Sequence, residues 1–318
     1  MIGVYMFQSG GPSIAKVGIK NFLFGKTWDT SVEPAKYGIL PFLLSSVFSM
    51  IGTVVITVPV SILVAVGMSH FIPRPVASVL RTVISMLAGI PSVIYGFLGM
   101  ILLVPFVQNM FSLPAGLTLL SAIVVLIVMT LPTIISVSES SITAVPEEYM
   151  EASLALGVNR EYTILHIIVP AAKSGILAAV ILGVGRALGE TMAVMMVVGN
   201  QPRVPNSILQ GVRTLTTNIV MEMGYATDLH REALIATGVV LFAFILIINL
   251  CFSVNIRTKT IQSKSLINIK SIIPALIQNN MEAGTDGIPV GLKDFQDFIG
   301  NPVQCKILFS GRIISSII

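Results

Sequence analysis

Residues 37–69, 82–138 and 233–256 carry no charged side chain. Each stretch is at least as long as the roughly 20 apolar residues that cross the hydrocarbon core of a bilayer as a helix. With Pro, Gly and Asn as punctuation, the pattern predicts spanning helices over 41–68, 82–107, 117–137, 175–198 and 233–254. Backbone polar groups inside a bilayer must be satisfied within the protein. Long apolar runs without period-2 alternation point to helices rather than a barrel. The expected class is therefore all-α and polytopic, with five clear spans and kinks where Pro59, Pro91 and Pro132 interrupt them.

The ends follow a different pattern. Residues 1–7 are apolar but too short to span and lack the basic n-region of a signal peptide, so they read as the remnant of a first helix. The next segment, with Gly10-Gly11-Pro12 and Trp28-Asp29, reads as an external connection. The organisation expected is 1–40 for these parts, 41–256 for a membrane domain with a polar loop at 138–173, and 257–318 for an atypical tail without clear periodicity.

Composition agrees with a bilayer and narrows the chemistry. Apolar residues make up 54% of the 318 residues and charged ones only 11%, against about 25% charged in soluble domains. The formal charge of +4 sits at span ends, as topology anchors do, and gives no reason to expect a nucleic-acid partner. Basic residues divide almost evenly between the two sides, so charge alone barely sets the orientation. Cys251 and Cys305 form neither a metal-ligand spacing nor a disulfide framework, and no metal or cofactor is expected. Gly25-Lys26-Thr27 has the end of a phosphate-binding loop, but Lys20 stands where the leading Gly is needed. No nucleotide site and no catalytic residue are expected.

Two features carry the candidate chemistry. In the polar loop, Pro146 suits the first helical position, Glu147 and Glu148 suit the first turn, and Gly157 suits a left-handed terminus. Asn159 can cap a second helix that should stop before Pro170. Tyr149, Ala152, Ser153 and Leu156 recur at helical spacing, with Glu151 beside them, a small partly apolar face suited to a groove on a partner. The bland alternative is a loop lying on lipid headgroups.

The second feature is Arg186 and Glu190, four residues apart in an otherwise apolar span. Each costs roughly 2.5–3.5 kcal/mol at a bilayer centre, so such residues face protein or a water path. On one helix they share a face and are expected to pair. Gly185 and Gly189 beside them have the spacing that lets another helix approach. An Arg donor fork suits a tetrahedral oxyanion; the alternative role is an ion pair that fixes helix register.

The sequences Leu87-Ala88-Gly89-Ile90-Pro91-Ser92, Glu151-Ala152-Ser153 followed by Gly157 and Pro170, and Gly185-Arg186-Ala187-Leu188-Gly189-Glu190-Thr191-Met192-Ala193-Val194 resemble those of phosphate ABC importer permeases over residues 20–256. The stretch from Glu190 to Asn200 and Trp28-Asp29 are more like the PstC-type subunit than its partner PstA. The resemblance implies a type I ABC importer permease fold in the plasma membrane of a prokaryote. It also implies a second permease subunit (PstA-like), an ABC ATPase dimer (PstB-like) received by the loop at Tyr149–Gly157, and an external phosphate-binding protein (PstS-like). Arg186 and Glu190 match the family's charged pair in the translocation path, and the loop faces the cytoplasm. A PstA-type role and another oxyanion, sulfate or molybdate, stay open, as does a secondary transporter or channel, for which no internal repeat is evident.

Overall fold

The structure, a computed structural model, describes residues 6–11 and 17–251. The expected tail at 257–318, with Cys305, and residues 1–5 lie outside these. Helical residues 6–11 precede a short helix α1 (Ile19–Phe24) and a two-residue antiparallel hairpin, β1 (Trp28–Asp29) with β2 (Lys36–Tyr37). The membrane helices follow: α2 (Leu40–Phe71), α3 (Arg74–Gly89), α4 (Ser92–Met110) and α5 (Leu119–Thr143). After the loop helix α6 (Glu148–Ala155) come α7 (Arg160–Ala171), α8 (Lys173–Gly189), α9 (Met192–Val197), α10 (Leu215–Met223) and α11 (Asp228–Cys251).

Among the described residues four helices, α2, α4, α5 and α11, are long and apolar enough to cross a bilayer, and α7 with α8, bent by 65° at Ala172, gives a fifth only if the bent pair is counted as one span. Three boundaries differ from the sequence expectation. The span expected at 82–107 is two helices, because Pro91 drives Ile90 out of the helical region, to φ −67 and ψ 129. The Tyr95 hydroxyl donates to the Leu87 carbonyl at 2.7 Å and ties the pieces together. The span expected at 117–137 continues to Thr143. There Ser140, Ser141 and Thr143 hydroxyls bond carbonyls four residues back, and Glu139 is paired, so a polar sequence stays helical. The span expected at 175–198 breaks after Gly189, where Glu190 is extended (φ −70, ψ 129).

The most enclosed span, α5, sits between two seams of small residues. On α2, Ser45, Ser49, Thr53, Thr57 and Ser61 recur every fourth residue and are all buried, and Thr57 meets Thr130 of α5. On α8, Gly175, Ala179, Gly183 and Ala187 face α5, so that a Cβ added at Gly183 would lie 2.7 Å from Cγ1 of Ile134. Without a hydrophobic drive between helices in lipid, such close backbone approach is what holds a bundle. At the loop end, Ala65 and Val66 of α2, Ile142 of α5 and Ile164 and Ile168 of α7 form a cluster against which Met150 of α6 packs. At the opposite end Trp28, Tyr37 and Phe42 pack with Leu215 and Leu234, with the Trp28 ring edge-on to Tyr37 (5.4 Å) and Phe42 (5.6 Å).

Candidate functional site

The loop between α5 and α8 is a helix-turn-helix. Gly157 is left-handed (φ 82), as expected, and ends α6. Asn159 caps α7 by accepting from the Tyr162 amide at 2.8 Å. The second helix does not stop before Pro170. It widens into a π turn at Ile164–Ile168 and runs through Pro170 to Ala171, the wider turn absorbing the missing donor.

Of the residues expected on one face, Tyr149, Glu151, Ala152 and Leu156 are exposed, and Leu156 is 83% accessible at the tip. Ser153 is not with them. It is buried, and its hydroxyl bonds that of Thr163 at 2.8 Å, closing α6 onto α7. A serine at this position thus serves the inside of the motif, while the exposed side offers aromatic and aliphatic surface beside carboxylates.

Arg186 and Glu190 do not pair. Because the helix ends at Gly189, the Glu190 side chain turns to the next helix and accepts from the Ala193 amide at 3.2 Å, capping α9 with a favourable dipole. Its carbonyl accepts from Thr216 of α10 at 3.1 Å. Arg186, half-buried on α8, donates to the Thr133 hydroxyl of α5 at 3.2 Å. Among the described residues no carboxylate lies within ion-pair distance of Arg186, so most of its donor fork is open. Gly185 and Gly189 do not make the close helix contact expected of them. Added Cβ atoms there would meet nothing within 4 Å, and Gly175 and Gly183 take that role on the other side of α8.

Two further charged groups escaped sequence reasoning. Arg81 of α3 bonds Glu139 of α5 at 2.8 Å, and this pair brackets the long uncharged run 82–138. At the end opposite the loop, buried Glu222 accepts from Arg213 (2.6 Å) and Trp28 Nε1 (2.8 Å) and bonds His230 Nε2 (2.9 Å). That carboxylate joins the hairpin, α10 and α11. Burial, reinforced by Glu222, raises the pKa of nearby Tyr37 above the usual value of 10.0. The residue types alone carried no signal for this network; only the lone Trp28 hinted at a packed external segment.

Comparison with known proteins adds the family. Residues 57–264 match the model of the binding-protein-dependent transport system inner membrane component. The chain is 41% identical to a probable ABC transporter permease, YqgH of Bacillus subtilis, over 78% of this chain and 82% of that one. It is 30% identical to the phosphate transport system permease PstC of Mesorhizobium japonicum (78% and 81%) and 33% identical to that of Xylella fastidiosa strain 9a5c (74% and 78%). Among solved structures, an inward-facing methionine ABC transporter, MetNI, matches with a TM-score of 0.52 at 21% identity, over 70% of this chain and 94% of that one. A bacterial ABC transporter that imports the polysaccharide alginate gives 0.54 at 13%, over 69% and 78%. These two show the fold.

Proposed function

The chain belongs to the family of binding-protein-dependent transport system inner membrane components, a multi-pass membrane subunit, and from that premise we propose that it is the PstC-type permease of an ATP-driven phosphate importer. Relatives named as phosphate permeases, at about a third identity over most of their length, support the substrate. The observation that carries the reading is Arg186, a guanidinium half-buried in a membrane helix with no carboxylate partner among the described residues. A cation left open at that depth is costly unless an anion passes it, and a planar fork of donors fits the oxygens of phosphate.

ATP is hydrolysed on a separate subunit. Its groove receives the exposed face of Tyr149, Ala152 and Leu156, while Glu151 borders it and Gly157 keeps the turn tight. An external phosphate-binding protein delivers the ion, and a second, PstA-like permease completes the path. Glu190 holds the start of α9 and sets the geometry around Arg186 rather than neutralising it.

The test is transport by the assembled complex in proteoliposomes, with its ATPase, second permease and binding protein. ATP-dependent accumulation of labelled phosphate that excess sulfate does not reduce is the expected result. Accumulation of sulfate or molybdate instead assigns another oxyanion, and uptake without ATP rejects the importer.

A further inference from the structure

One face of α5 changes character halfway along. At helical steps, Ala122, Leu126 and Met129 are buried in the cluster that also holds Ala193 and Val194 of α9. The same face continues towards the loop end as Thr133, Ser136, Ser140 and Thr143, where the last three are exposed. The change falls at Thr133, the residue that accepts from Arg186. Above that level the face is apolar and sealed by α9, whose first turn Glu190 caps; below it the face is bare and carries hydroxyls.

An exposed face on a spanning helix is ordinarily apolar, since hydroxyls gain nothing from lipid. Hydroxyls confined to the uncovered half, starting at an open guanidinium, fit a wetted wall instead. Ser140 and Thr143 lend their protons to carbonyls of Ser136 and Glu139. A hydroxyl rotor can redirect its proton to a passing anion, so such a wall offers successive weak donors without a trapping charge.

We infer that Thr133 positions Arg186 at the boundary and that Ser136 and Ser140 form the exit lane by which the anion leaves towards the loop end. This rests on the proposed anion path at Arg186. Thr133 is a positioning residue, because it acts through the guanidinium.

The experiment uses the complete importer in inside-out membrane vesicles, in a Cys251→Ser, Cys305→Ser background. Ser136→Cys and Ser140→Cys, near-isosteric changes at exposed positions, are treated with a membrane-impermeant maleimide from the loop side, with and without inorganic phosphate. Both are expected to react, several-fold more slowly at saturating phosphate, whereas Met129→Cys stays unreactive. Thr133→Val is expected to raise KM about tenfold with Vmax less affected, the size of one lost hydrogen bond, and Thr133→Ser to restore it. Failure of both lane variants to react, or reaction that phosphate does not slow, overturns the lane. If the lane variants behave so while Arg186→Ala still abolishes uptake, the anion path stands without the lane. Protection by phosphate that survives Arg186→Ala separates the lane from Arg186 and overturns the inference as stated. An unchanged KM in Thr133→Val removes Thr133 from it.

Discussion

Gly183→Ala and Gly185→Ala are the same chemical change two residues apart on α8, yet the structure gives them opposite signs. A methyl at Gly183 would lie 2.7 Å from Cγ1 of Ile134 and closer still to its Cδ1, while one at Gly185 would meet nothing within 4 Å. Removing glycine from a helix interior gains about 0.5–1 kcal/mol in both cases. Overpacking at Gly183 costs about 1–3 kcal/mol, so Gly183→Ala nets to a destabilisation of up to about 2.5 kcal/mol, while Gly185→Ala stabilises by about 0.5–1 kcal/mol. Ile134→Ala alone leaves a cavity worth about 2–5 kcal/mol, part of which the Gly183→Ala methyl fills. The double variant is expected to be more stable than the sum of the single ones by at least about 0.5 kcal/mol. Denaturant unfolding of the purified chain in mixed micelles, followed by Trp28 fluorescence, reads the four variants against the unsubstituted chain. Equal effects at the two glycines, or strict additivity with Ile134→Ala, would refute the assignment of the α5–α8 seam.

Gly157→Val places a branched side chain at φ 82, a strain of about 1–2 kcal/mol at an open site. The complex is expected to assemble while ATP hydrolysis no longer yields uptake, checked by the ratio of ATP consumed to phosphate moved. Glu222→Leu leaves Arg213 buried without its carboxylate and should cost about 3–5 kcal/mol, seen as a lower melting temperature; Glu222→Gln should recover part of it. Because the folded pKa of buried Tyr37 lies above 10.0, its neutral form is favoured in the native state. That stability is complete below pH 10.0 and is lost as pH rises through the folded value. Melting temperature against pH should show this alkaline fall, and Tyr37→Phe should reduce it.

The uncharged runs disclosed the spans because a bilayer demands apolar length, a property that one sequence displays directly. The breaks were less legible. Pro91 sits in an unbroken apolar stretch, and only its effect on Ile90 separates α3 from α4. The end of α8 at Gly189 was hidden because Glu190-Thr191-Met192 continues a helical pattern, so spacing alone placed Arg186 and Glu190 on one face. Chain direction changes between them, and the expected pair dissolves into a cap and an open cation. Ser153 showed the same limit in small: position i+4 from Tyr149 fixes its angle on α6, but the packing of α7 turns that angle inward. Gly157 and Asn159 were legible because a left-handed turn and a helix cap are local chemistry. The Glu222 network was not, since Trp28, Arg213 and His230 come together only through the tertiary fold.

The most direct measurement is the uptake of labelled phosphate by the assembled importer carrying Arg186→Lys. A lysine keeps the charge and loses the planar fork, so transport is expected near the background set by Arg186→Ala, with normal assembly and intact ATPase. Uptake close to the unsubstituted rate would show that a point charge suffices, and would contradict recognition of the passing oxyanion by the guanidinium.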